Sequence, residues 1–105
     1  MHFNLLKRFQ ILVKGPNIQR CGFRNKAAAI ARNSGLTGYA AYCGKDLIVE
    51  VEGSERFISD FVNWCRQGPE FCEVQMIQVN EKKISGQQSE FRIIHGIIND
   101  PETIV

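Results

Sequence analysis

Residues 9–33 read FQILVKGPNIQRCGFRNKAAAIARN. Phe9 to Val13 is a short apolar run of strand type, and Asn25 to Asn33 is alanine-rich and of helix type. Between them a loop, Gly15-Pro16-Asn17-Ile18-Gln19-Arg20-Cys21-Gly22, runs into Phe23-Arg24. A strand, a glycine-bearing loop and a helix start together suit an anion. The first N–H groups of a helix lack intrahelical partners, and the helix dipole favours negative charge there. Arg24 falls in that first turn, with a planar guanidinium fork that fits phosphate or carboxylate. Taken alone, the stretch also reads as a surface loop with a solvated arginine, because glycine-bearing turns are common.

Working outward, Phe23, Ala27, Ile30 and Ala31 recur at helical spacing, and Gly35 follows as a left-handed cap. Leu36 to Cys43 reads as a second strand, turned by Gly44-Lys45-Asp46 into a third, Leu47 to Val51. Glu50 and Glu52 alternate there with Val49 and Val51, which predicts one solvated face. Ser54 is the predicted cap of a second helix, with Glu55 near the positive end of its dipole. Phe57, Ile58, Phe61, Val62, Trp64 and Cys65 form its apolar stripe, read as core, and Gln67-Gly68-Pro69 ends it. Cys72 to Val79 reads as a fourth strand with a bulge between Val74 and Ile77. Glu81 to Ser89 is a polar loop, Phe91 to Ile94 a short last strand, and Asn99 to Val105 a polar tail. The order βαββαβ predicts an α+β, ferredoxin-like sandwich: an antiparallel sheet with two helices on one face and a short extra C-terminal strand. One domain is expected over 1–105, its core about 9–94. That fold hosts many functions, so function is argued from the site.

The chain has 105 residues, enough for one modest core. No apolar run approaches the length of a membrane span, and Met1 to Lys14 lacks the pattern of a secretory signal. Of the four cysteines, Cys21, Cys43, Cys65 and Cys72, none forms a Cys-x-x-Cys pair, and His2 and His95 are distant in sequence. No metal or cofactor is expected. The cysteines read as reduced, in a cytoplasmic protein, with Cys65 and Cys72 in or near the core. Cys21, beside two arginines and a helix start, reads either as an inert loop thiol or as one of lowered pKa. Met1 to Lys45 holds eight basic residues and no acidic one, while Asp46 to Val105 holds five basic and eleven acidic. That split implies a positive field around the loop, unless the acidic half folds back to complement it.

Val13-x-Gly15, Ile18-Gln19 and Gly22-Phe23-Arg24 resemble the signature loop of acylphosphatases. Gly35-Leu36-Thr37-Gly38-Tyr39, Val49-x-Val51-Glu52-Gly53, Phe61, Gly68-Pro69 and Phe91 follow in family order, so the resemblance spans about Phe9 to Ile94. It implies that Arg24 and the loop amides hold phosphate, with Gly15, Gln19, Arg20, Cys21, Gly22 and Phe23 as the surrounding loop and helix-start positions. The implied ligand is a small anion, phosphate or acyl phosphate. Backbone donors and a guanidinium suit phosphate, and the good leaving group of an acyl phosphate lets positioning and charge stabilisation suffice.

The family's water-positioning asparagine does not carry over. Its position holds Tyr42, one hydroxyl on a bulky ring, which either blocks the water's place or points elsewhere. Arg20 stands where the family has glycine, Pro16-Asn17 adds a residue, Cys21 replaces a small apolar residue, and the hairpin turn is shorter. The expectation is a preserved scaffold whose hydrolysis is weak or lost. The alternative is a working acylphosphatase in which Asn17, Asn33 or Arg20 serves the water. A non-enzymatic interaction or nucleic-acid-binding module shares the fold, but Leu47 to Val51 offers no aromatic platform for bases. His95 has no nucleophile beside it and reads as an ordinary strand-end residue.

Overall fold

The computed structural model of the chain describes residues 5–86 and 89–99. Its elements are β1 (Leu6–Lys14), α1 (Phe23–Asn33), β2 (Thr37–Cys43), β3 (Asp46–Ser54), α2 (Glu55–Gln67), β4 (Met76–Lys82) and β5 (Phe91–Ile98). One sheet holds all five strands in the order β4-β1-β3-β2-β5. The four-strand part is antiparallel as expected, with Ile11 opposite both Val49 and Val79. The extra strand joins parallel to β2, which makes the sheet mixed, and its register shifts between Ala40 and Tyr42.

Alternation sorts the sheet into two faces. Ile11, Val13, Val49, Val51, Ala40 and Phe91 pack with Phe23, Ala27 and Ala31 of α1 and Ile58, Phe61 and Cys65 of α2. Trp64 lies edge-on to Phe23, ring centroids 5.1 Å apart, and joins the two helices. Phe57, expected in the stripe, is 44% exposed and lies outside the core clusters. Helix α1 ends as its sequence predicts. Gly35, at φ 70°, lets Leu36 N–H reach Ala31 C=O and Gly35 N–H reach Arg32 C=O. Ser54 does occupy the cap of α2, but its side chain makes no capping bond.

The opposite face departs from expectation. Glu50 and Glu52 are buried rather than solvated. Arg8 of β1, itself 4% exposed, lies between them, paired with Glu50 and at 3.1 Å from Glu52. Ser85 and Gly86, in the connection that leaves β4, donate their N–H groups to the Glu52 carboxylate at 2.7 and 3.0 Å. Burial raises the Glu52 pKa, but those two N–H groups and Arg8 outweigh it and hold the carboxyl below its ordinary value. Tyr39, Ala41 and Ile48 form a second small apolar cluster on this face.

Two strand bounds shift. Residues 72–75 are irregular, so β4 begins at Met76 without the expected bulge and runs on to Lys82, into the stretch read as loop. The last strand extends past Ile94 to Ile98. Residues 87–88 of the polar loop and 100–105 of the tail lie outside the described residues. No helix among the described residues is long and apolar enough to cross a membrane.

Candidate functional site

The loop between β1 and α1 starts at Gly15, where a Cβ would stand 1.9 Å from the Glu73 carbonyl oxygen; only glycine fits that approach. Asn17 then ties the loop to the stretch between α2 and β4. Its Nδ2 donates to Phe71 C=O at 2.7 Å, and its Oδ1 accepts from Glu73 N–H at 3.0 Å. Gln75 N–H adds a bond to Lys14 C=O at 2.9 Å. Ile18 is buried in the main core and anchors the loop's middle. Gln19 reaches the β2–β3 hairpin, its Nε2 donating to Gly44 C=O and Asp46 C=O at 2.8 and 2.9 Å. Arg20 is exposed, its N–H turned back to Asn17 C=O.

Cys21 and Cys72 are joined by a disulfide across the same seam. The reading of four reduced cysteines is therefore corrected, as is Cys21 as an inert or activated thiol. Cys43 and Cys65 are free. Cys65 is in the core as expected, and burial pushes its thiol pKa well up. Cys72, read as part of a strand, lies in an irregular stretch: its own N–H turns back to Pro69 C=O, and its neighbours Phe71 and Glu73 bond to Asn17 of the loop.

Gly22, at φ 79°, caps α1, and no side chain caps the helix start. The first backbone N–H turned into the helix is that of Lys26, onto Gly22 C=O, so the amides before it face the loop. The first turn carries no acidic residue. Arg24 lies over the ring of Tyr42, its guanidinium carbon 3.7 Å from the ring centroid. Its Nη1 donates to Ile94 C=O of β5 at 3.0 Å. The Tyr42 hydroxyl donates to Gln19 C=O at 2.7 Å. Tyr42 thus points into the loop's base, with its hydroxyl spent on backbone and its ring supporting the arginine.

The geometry brings together Gln19, Arg24 and Tyr42, with Gly22 capping the helix that carries Arg24. Gly15 and Cys21 turn instead to the stretch between α2 and β4, and Phe23 is buried in the core. Arg20 stands outside that group, on the solvent side. Of the residues considered for the water, Asn17 is committed to the seam and Asn33 sits in the last turn of α1, at the far end from the loop. Two contributors escaped the sequence reading. The Ile94 carbonyl carries no side-chain signal, and four cysteines do not reveal their pairing. The charge split is partly complemented: Lys7 meets Glu81 and Lys14 meets Asp46, besides the Arg8 pairs.

A ferredoxin-like sandwich with a glycine-bearing loop running into a helix start that no side chain caps defines a class of small α+β domains. Within it, the acylphosphatase family model matches residues 9–93. The chain is 30% identical over 93 residues to the acylphosphatase of Methylococcus capsulatus, covering 88% of this chain and 100% of that protein. It is 40% identical over 77 residues to the acylphosphatase of Aliivibrio fischeri, covering 71% and 83%. Among solved structures, the Bacillus subtilis acylphosphatase superposes with a TM-score of 0.79 at 26% identity, covering 87% of this chain and all of that one. Full-length HypF, in a phosphate- and nucleotide-bound form, gives 0.83 at 28% identity, covering 95% of this chain and 13% of HypF. The chain belongs to the acylphosphatase family.

Proposed function

We propose that the 15–24 loop binds a phosphate or acyl-phosphate anion, held by Arg24 and by the amides of residues 19–24 other than that of Arg20, which is taken by Asn17 C=O, and that hydrolysis is weak or lost. The observation that carries this reading is the position of Tyr42. It stands where the family pattern has asparagine, bonded to Gln19 C=O and stacked under Arg24. A hydroxyl already donated to backbone, on a ring filling the loop's base, does not orient an attacking water as an amide does. Arg24 keeps its Nε and Nη2 without partners among the described residues, which supports retained anion binding. The opposite sheet face supports no nucleic-acid reading: its centre is Arg8 buried between Glu50 and Glu52, and its Tyr39 is 1% exposed.

One domain with no cofactor, in the cytoplasm, completes the reading. There the Cys21–Cys72 bridge would face a reducing glutathione pool.

An acyl-phosphate hydrolysis assay tests the proposal. Wild type should turn over about a hundredfold to a thousandfold more slowly than an ordinary site with its polar group intact. Tyr42→Asn should recover part of the rate, and Tyr42→Asn with Arg20→Gly more than either alone, since glycine at 20 lets the loop backbone approach the anion as the family pattern does. A wild-type turnover of about 1–1,000 per second would overturn the weak-hydrolysis reading in favour of a working acylphosphatase.

A further inference from the structure

We infer that the Cys21–Cys72 disulfide is a redox-cleavable lock on the anion loop, opened by a dithiol reductant. Cys21 directly precedes Gly22, the cap of α1, and lies three residues before Arg24. Cys72 belongs to the irregular stretch between α2 and β4. The bridge therefore fixes the helix-start amides to a segment that has no strand ladder of its own. Among the described residues, the other hydrogen bonds across that seam are the two from Asn17 and the Gln75–Lys14 bond. Phe71, next to Cys72, is 84% exposed and has a left-handed backbone, φ 73°, a costly conformation for a bulky residue. That conformation persists only while its surroundings hold it, and the bridge is the covalent part of them. Both bridged cysteines are partly accessible, whereas the core around Cys65 is closed.

Opening follows thiol–disulfide exchange. A reductant thiolate attacks one sulfur of the bridge, forming a mixed disulfide and releasing the other cysteine as thiolate. The reductant's second thiol then closes on the mixed disulfide and frees the second cysteine. Two electrons and two protons pass from the dithiol to the cystine. With the lock open, the Asn17 bonds hold the seam without covalent support, the loop and helix-start amides lose preorganisation, and anion affinity falls. The effect on affinity rests on the proposed anion binding; the effect on loop order does not.

Amide hydrogen exchange and inorganic phosphate titration, each on oxidised and dithiothreitol-reduced protein, separate the two. Reduction should speed exchange at residues 17–23 and 71–75 about tenfold through local opening, while the strand amides, which exchange only by global unfolding, remain the most protected of the described residues. It should also weaken phosphate binding about tenfold. The pair Cys21→Val with Cys72→Ala should behave as the reduced protein does and show no response to dithiothreitol. Unchanged loop exchange on reduction overturns the lock. So does a sheet that becomes no better protected than the loop, which would make the bridge a global staple and no local lock. So does failure of the reduced protein to re-form Cys21–Cys72 under oxidised glutathione. If reduction loosens the loop but the oxidised form shifts no amide with phosphate, the lock stands and the proposed anion site falls.

Discussion

Arg24 illustrates how much of a site a single residue can disclose. Its place in Gly22-Phe23-Arg24 was legible, because the helix start and the family motif both point to it. Its supports were not. Tyr42 lies 18 residues further on and Ile94 lies 70 away, and neither position announces a contact with an arginine. Tyr42 was legible only as a departure; its orientation depends on β2 and the loop meeting in space. Truncation at the arginine should be felt at the ligand. Arg24→Ala should weaken phosphate binding by about 1.5–3 kcal/mol, the range for hydrogen bonds to a charged group. Titration of the 19–24 amide resonances measures it, and added salt should weaken the wild-type affinity in the same experiment. An Arg24→Ala protein that binds phosphate as tightly as wild type would remove the arginine from the site.

At the scale of elements, periodicity served the helices better than the sheet edges. The α1 stripe and its Gly35 cap follow from 3.6-residue spacing and one glycine. Val74 was read into β4 because it is apolar. It packs against the main core, but its neighbours bond to the loop, and apolarity reports burial rather than a ladder. Glu50 and Glu52 misled in the opposite sense. Alternation put them on the polar face, but it could not show that Arg8 and the chain leaving β4 would cover that face. The Glu52 carboxyl has its folded pKa held below the ordinary 4.5. Its stabilising contribution is therefore complete above that ordinary value and is lost as pH falls through the folded value. The urea midpoint of wild type should drop more steeply below about pH 4.5 than that of Glu52→Gln. At pH 7 Glu52→Gln should cost about 1–3 kcal/mol, since one oxygen acceptor and the charge facing Arg8 are gone. Parallel midpoints in the two proteins across the acid range would refute this assignment.

Across the whole molecule, the bridge closes a chain segment with a sequence separation of 51. Cross-linking a loop of that size stabilises by about 2–4 kcal/mol, mainly by restricting the unfolded chain. Reduction, or Cys21→Val with Cys72→Ala, should therefore lower the melting temperature by roughly 10–20 °C while the sheet remains folded at 25 °C. Calorimetry of the two redox forms tests it, and equal melting temperatures would refute that stabilisation. The sheet order carries a different consequence, for a chain being made on a ribosome. β1 emerges first but sits between β3 and β4, and Arg24 emerges early but leans on Ile94 of the last strand, 70 residues later. At about 5–20 residues per second, that partner arrives roughly 4–14 s after the arginine. Until then a nascent chain displays the loop and its cation without the backbone carbonyl that aims them, so the site is among the last parts of the molecule to be completed.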